Sequence, residues 1–328
     1  MSTGNTPSEN ISITGLLVHN AAPRMLLMSM ATVAAGTAAA ALRGNMELLP
    51  ATLCLLFALF VQIAGTYMHF YVETRRRKLR FDDEVVDPDS LDDALGQLPR
   101  ASVLRASASA FMILAATVGL ALLAMGGLWT LLVAVVLVAV VWLTFMAPRP
   151  MAETSLGVVS TFLLFGPVGV IGTCLAQSGH EASSLMSFYD VEPSLYLSVV
   201  MGLMAVNCGI FHNIASRKMD MALGKQTFPV VAGKRLSLFI FGLNGILWVV
   251  ALGMLCLVQN LTGWLWYMTV PALTMIVNFY LCRKLAEMPA DLQRYQIWIN
   301  ANMLFLSIAV LVVSILTGAS DDSGLIIF

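Results

Sequence analysis

Nine runs of about 20 mostly apolar residues, roughly 24–43, 47–72, 104–126, 128–147, 155–177, 194–215, 236–258, 262–282 and 298–318, leave this chain little choice of solvent. A helix needs about 20 such residues to cross the hydrocarbon core of a bilayer. Composition agrees: 59% of the 328 residues are hydrophobic and 11% are charged, whereas a soluble domain carries about 25% charge. An ordinary soluble enzyme and a disordered tail protein are thereby excluded. The net charge of −1 leaves no basic surplus for a nucleic-acid partner. The expected fold class is an all-α integral membrane protein with nine transmembrane helices.

Basic residues set the expected orientation. With the N-terminus in the cytoplasm, 17 of the 18 Lys and Arg residues fall on the cytoplasmic side and Arg43 alone falls outside, as the positive-inside rule requires. A missed or extra span would scramble that partition. The N-terminus is therefore expected inside and the C-terminus outside, in a bacterial-type inner membrane. A single domain, 24–318, carries cytoplasmic loops at 73–103 and 216–235 and lies between polar tails 1–23 and 319–328. The opening residues MSTGNTPSENIS lack the basic n-region of a secretory signal, so this tail is expected to stay on the chain. The five cysteines, Cys54, Cys174, Cys208, Cys256 and Cys282, have no CxxC spacing and read as small packing residues.

Polar residues entering the end of a membrane helix mark the places to seek chemistry. Two stretches do so. Gln62-Ile-Ala-Gly-Thr66-Tyr-Met-His69-Phe70-Tyr-Val-Glu73 closes the second span and runs into Arg75-Arg76-Arg77-Lys78 and Asp82-Asp83-Glu84. Asn207-Cys-Gly-Ile-Phe-His212-Asn213-Ile-Ala-Ser216-Arg-Lys-Met-Asp220 closes the sixth and continues through Gly224-Lys225-Gln-Thr227 to Gly233. His69 and Glu73 are four residues apart, as are His212, Ser216 and Asp220, so each set lines one helical face.

The second stretch resembles the second motif of the UbiA superfamily of intramembrane prenyltransferases, in particular the 1,4-dihydroxy-2-naphthoate prenyltransferases of menaquinone synthesis. Asn213, Asp220, Gly224, Lys225, Thr227 and Gly233 fall in register with it. Pro23-Arg24, Arg149-Pro150, Leu156-Gly157 and Phe165-Gly166-Pro167 look like further family segments. The resemblance implies a nine-helix prenyltransferase fold that moves a polyprenyl group from its diphosphate to an aromatic quinone precursor. By resemblance, Asp220 and Glu73 are the catalytic acids, and Asp220, Glu73 and Asp82 hold Mg²⁺. Lys225 and Arg76 would meet the diphosphate, with Asn213, Thr227, His69, His212 and Ser216 lining the same site. The implied partners are a polyprenyl diphosphate and an aromatic acceptor lipid, with membrane lipid around them.

This chain also departs from the family pattern. Thr66, His69, Phe70 and Glu73 occupy the first motif, Ser216 replaces the first Asp of the second, and Val158 replaces an acidic residue. His69 and His212 stand where the family has Asn. Other readings therefore stay open. His69, Glu73, His212 and Asp220 could together bind a metal or a different substrate. A catalytically inactive UbiA-like protein could use the same mouth to bind a polyprenyl or quinone lipid, or a partner enzyme. The run Arg75 to Arg80 reads as an anchor to anionic lipid or as a source of diphosphate contacts.

Overall fold

A bilayer offers backbone N–H and C=O groups no partners of its own, so apolar runs of this length become helices. A computed structural model of the chain describes residues 23–81, 101–145, 147, 149–178, 188–222, 224–259, 261, 269–285 and 292–323. They form α1 (Pro23–Ala41), α2 (Leu48–Phe81), α3 (Ala101–Phe145), α4 (Gly157–Gln177), α5 (Phe188–Ala222), α6 (Phe228–Val258), α7 (Thr269–Leu285) and α8 (Leu292–Ser323). A short 3₁₀ turn at Met151–Glu153 precedes α4. Among the described residues, the single β-type pairing is an isolated bridge between Thr154 and Gln226. Six helical stretches are long and apolar enough to cross a membrane, and Met25–Ala41 and Trp129–Phe145 are shorter apolar helices.

Residues 101–145 are helical in one run, where the sequence predicts two spans meeting near 127. Their contacts show a reversal all the same. Gly119 lies against Phe57, and Phe145 lies against Gly65. Along a straight helix those two partners in α3 would be about 39 Å apart, against about 12 Å for the two positions in α2. The first arm runs antiparallel to α2, with Phe111 beside Tyr67 and Leu122 clustered with Cys54. The second arm then returns to the level of Gly65.

Several helices outlast their apolar stretches. α2 continues to Phe81 through the basic run, and α5 continues to Ala222 through Asp220. α6 begins at Phe228, with a kink at Gly233 where φ is 79°. Residues 73–81 and 101–103 of one predicted loop, and 216–222 and 228–235 of the other, are therefore helical. Hydropathy marks where a helix leaves the bilayer, whereas the helix itself stops where its capping or backbone chemistry stops it.

α1 is the hub of the bundle, packing against α2, α4, α5 and α8. Its Ala31, Ala35, Ala38, Ala39 and Ala40 are fully buried, and such small side chains let helix backbones approach closely in lipid. The approach is closest around α4. That helix contains a π-helical segment, Leu164–Ile171, with Pro167 inside it. Proline lacks the N–H that a regular helix would use, and π-bulges accommodate such breaks. A Cβ on Gly166 would sit 2.5 Å from the Ser198 carbonyl oxygen and 3.1 Å from the Gly202 Cα, both backbone atoms of α5. Gly166→Val is accordingly expected to lower stability by about 3 kcal/mol, at the upper end of overpacking costs. Gly209→Ala, where a Cβ would meet nothing within 4 Å, should not. Thermal unfolding of the two variants in detergent checks this.

Candidate functional site

α1, α2, α3, α4 and α5 enclose a cavity of about 580 Å³. One end is polar and is built from Thr66 and His69 of α2, His212, Asn213, Ser216 and Asp220 of α5, and Lys225 and Thr227 of the following loop. The other end is apolar, formed by Val33, Cys54, Leu122 and Ala176, which pack together as one buried cluster. Arg43 lies toward that second end, with its guanidinium 3.9 Å from Cys174 Sγ. The two helix ends singled out in the sequence thus face one cavity.

The chain builds the polar mouth by an identifiable local device. α5 stops because Gly224 adopts a left-handed conformation, φ 67°. The Lys225 N–H then donates back to the Asp220 carbonyl (2.8 Å), and the Gly224 N–H donates to Met221 (3.1 Å). Those two bonds form a Schellman cap with glycine at its left-handed position. The cap folds Lys225 back over the last turn of α5, beside Asp220. Thr227 then opens α6, with Pro229 in its first turn, where a missing N–H costs nothing. The Gln226 N–H donates to the Glu153 carbonyl at 2.8 Å, and Arg217 Nε donates to the Pro229 carbonyl at 2.9 Å. The first bond ties the loop to the segment before α4, and the second ties α5 to α6.

Asp220 is only 5% exposed. Its Oδ2 accepts hydrogen bonds from Thr227 Oγ1 at 3.0 Å and Ser216 Oγ at 3.3 Å. Ser216 Oγ also reaches the His212 carbonyl at 3.1 Å. Asp220 is the one carboxylate among the described lining residues, and Lys225 the one ammonium.

Glu73 and Arg76 lie on α2, but their side chains, and Asp82 altogether, lie outside the described residues. Among the described residues, no group of three or more His, Cys, Asp or Glu converges as a metal cage. His69, His212 and Asp220 share the cavity, and Glu73, the fourth residue of the His-based cation site expected from the sequence, has its side chain outside the described residues. Mg²⁺ commonly uses one or two carboxylates and completes its octahedron with water and substrate phosphate oxygens. A single anchored Asp220 fits a Mg²⁺ that arrives with a diphosphate better than one held by protein alone.

Sequence reasoning missed two polar residues of the cavity wall, Ser29 and Gln296. Ser29 Oγ donates to Gln62 Oε1 at 3.4 Å. Gln296 of α8 is 1% exposed, and its Oε1 lies 3.3 Å from His212 Nδ1. Ser29 is an isolated polar side chain inside an apolar run, and that cost was the available signal, whereas Gln296 precedes the run 298–318 and carried no such signal. The link between Glu153 and Gln226 had no local signal, because it joins residues far apart in the chain.

No protein-family model matches the chain. Over 161 residues it is 33% identical to the 1,4-dihydroxy-2-naphthoate octaprenyltransferase of Mycobacterium tuberculosis and 30% identical to that of Mycobacterium leprae. Each match covers 49% of this chain and 53% of the relative, so the chain spans about half the length of the curated relatives it matches. Among solved structures, a UbiA homologue from Archaeoglobus fulgidus bound to GPP and Mg²⁺ superposes with TM-score 0.60 at 13% identity. It covers 92% of this chain and 99% of the other. The apo UbiA homologue from Aeropyrum pernix K1 gives 0.60 at 17% identity, over 87% and 97%. The chain has the UbiA-type all-α membrane fold.

Proposed function

We propose that this UbiA-fold chain is an intramembrane prenyltransferase that moves a polyprenyl group from its diphosphate to a 1,4-dihydroxy-2-naphthoate-type aromatic acceptor. The observation that carries the reading is that buried Asp220 and Lys225 both line the mouth of a cavity whose far end is apolar. The relatives named above and the prenyl diphosphate in the archaeal structure support it. The same reading places nine crossings in the membrane, with the N-terminus in the cytoplasm. Supporting that polarity, Lys225 and Arg43 belong to opposite ends of the cavity.

In this reading the prenyl diphosphate enters head-out. Lys225 supplies a cation to the diphosphate, and the Schellman cap fixes its position. Asp220, with Glu73 and Asp82 as further ligands, would hold Mg²⁺, while Ser216 and Thr227 orient the Asp220 carboxylate. Bound Mg²⁺ neutralises the charge that develops on a departing diphosphate. The prenyl C1–O bond breaks with its electron pair going to the diphosphate, a ring carbon of the acceptor supplies the pair for the new C–C bond, and that carbon then releases its proton, or its carboxylate as CO₂, with the pair of the broken bond restoring the aromatic ring. Asn213, Thr66 and His69 line the space beside the reacting carbon, and the apolar walls exclude water from the electrophile.

The test is direct. Detergent-purified protein with geranylgeranyl diphosphate, 1,4-dihydroxy-2-naphthoate and Mg²⁺ should yield a prenylated naphthoquinol, read by mass spectrometry. EDTA should reduce turnover to background, and excess Mg²⁺ should restore it. No product with any prenyl diphosphate, or a rate indifferent to EDTA, would refute the reading.

A further inference from the structure

Asn207, the first polar residue of the α5 stretch singled out in the sequence, takes no part in the cavity mouth. It is 6% exposed, and its Nδ2 donates to the Phe241 carbonyl of α6 at 3.1 Å. A carbonyl only accepts, so the amide nitrogen has to face α6 and Oδ1 has to lie on the other side of the amide. That oxygen is buried and meets no hydrogen-bond partner among the described residues. An amide acceptor left dry inside a membrane protein is costly, which is why buried polar atoms are paired with protein or with ordered water.

Asn207 also lines a second, small cavity of about 10 Å³, roughly the space that one water needs. Its walls come from four helices: Met204 and Asn207 of α5, Phe241 and Trp248 of α6, Asn278 of α7 and Ile299 of α8. Each of these is at least nine-tenths buried. Asn278 supplies the complementary group. Its Oδ1 accepts from Asn302 Nδ2 at 3.4 Å, and Asn302 stands outside the cavity wall. The polar atom that Asn278 keeps for the cavity is therefore Nδ2, a donor. An unpaired acceptor and a donor thus border a space of one water's size.

The position matters because of α7. That helix packs chiefly against α6 and α8, and lipid supplies no hydrophobic force that would press it toward α5. A polar bridge across the small cavity is the kind of link that holds membrane helices together.

We infer that this cavity binds one resident water molecule, which donates to Asn207 Oδ1, accepts from Asn278 Nδ2 and so ties α7 to α5. The site is independent of the prenyltransferase reading, since Asp220, Lys225 and the other residues of the mouth do not line it.

The experiment is a crystallographic density map of the full-length protein, fine enough to show ordered water, together with thermal unfolding of wild type and Asn207→Leu in detergent. The wild-type map should show one spherical peak about 2.6–3.2 Å from both Asn207 Oδ1 and Asn278 Nδ2. Asn207→Leu should lose the peak and lower Tm by about 2–4 °C, because the water and the Phe241 carbonyl both lose a partner. In a dry cavity the same change would replace an orphaned acceptor with an apolar group of similar shape, and Tm would hold or rise. No peak in the wild-type map, an elongated peak from an acyl chain, or an unchanged or raised Tm in Asn207→Leu would each overturn the inference. Should the variant fail to fold, the wild-type map decides by itself.

Discussion

Asp220→Asn should reduce turnover by about 10²–10³ while leaving the protein folded. Asparagine keeps the shape and one carbonyl oxygen, so Thr227 Oγ1 and Ser216 Oγ, now 3.0 and 3.3 Å from Oδ2, retain an acceptor. What disappears is the negative charge. At 5% exposure that charge acts through a medium far less screening than water, where electrostatic interactions gain strength. Removing one preorganised electrostatic group from an active site costs about 3–4 kcal/mol of barrier, which is the stated range in rate. Asp220 is also the one carboxylate among the described lining residues, so no described neighbour can stand in for it. Initial rates at saturating Mg²⁺ and prenyl diphosphate, beside unfolding curves for both proteins, separate chemistry from folding. Turnover within threefold of wild type would mean that the carboxylate is structural, and the metal reading would fall with it.

The sequence made the class and the polar mouth legible, for a physical reason. A bilayer forces long apolar runs to become helices, and every polar residue inside one is an exception that needs an explanation. His69, Ser216 and Asp220 stand out as helix-end exceptions, and the structure draws them to one cavity. The spacing Asp220, Gly224, Lys225 matches a family motif, and its physical content is a Schellman cap that returns Lys225 to Asp220. Other features were hidden. Hydropathy places the end of α2 near 72, yet the helix runs to Phe81, because Arg and Lys favour helix as strongly as they favour water. The pairing of Gln226 with Glu153 is a tertiary fact with no periodic signature. Gln62 was visible as a polar residue in an apolar span and Gln296 just precedes one, but only a three-dimensional neighbour gives either one a role. The π segment had its sign in Gly166-Pro167, a dipeptide that a regular helix accommodates poorly.

Ala176→Trp should convert the protein into one that accepts short prenyl donors and rejects long ones. The apolar floor of the cavity is the cluster of Val33, Cys54, Leu122 and Ala176, and Ala176 is 2% exposed. From His69 at the mouth to Cys54 at the floor, α2 advances fifteen residues, about 22 Å. An extended chain advances about 1.2 Å per bond, as the polypeptide backbone does, so each four-bond isoprene unit takes about 5 Å. Geranyl diphosphate, with two units, ends about halfway down. Geranylgeranyl diphosphate, with four, reaches the floor. An indole there competes for the space that the end of the longer chain would fill, at a cost of about 1–3 kcal/mol. The kcat/KM for geranylgeranyl diphosphate should therefore fall by about five- to a hundredfold while that for geranyl diphosphate stays within twofold of wild type. Equal losses for both donors would point to a folding defect, which the unfolding curve would reveal. No loss for either would place the prenyl tail elsewhere, because a chain that leaves the cavity above this cluster never meets residue 176. The ratio of the two donors thus reports the path of the tail, and the short donor serves as the internal control for everything at the mouth.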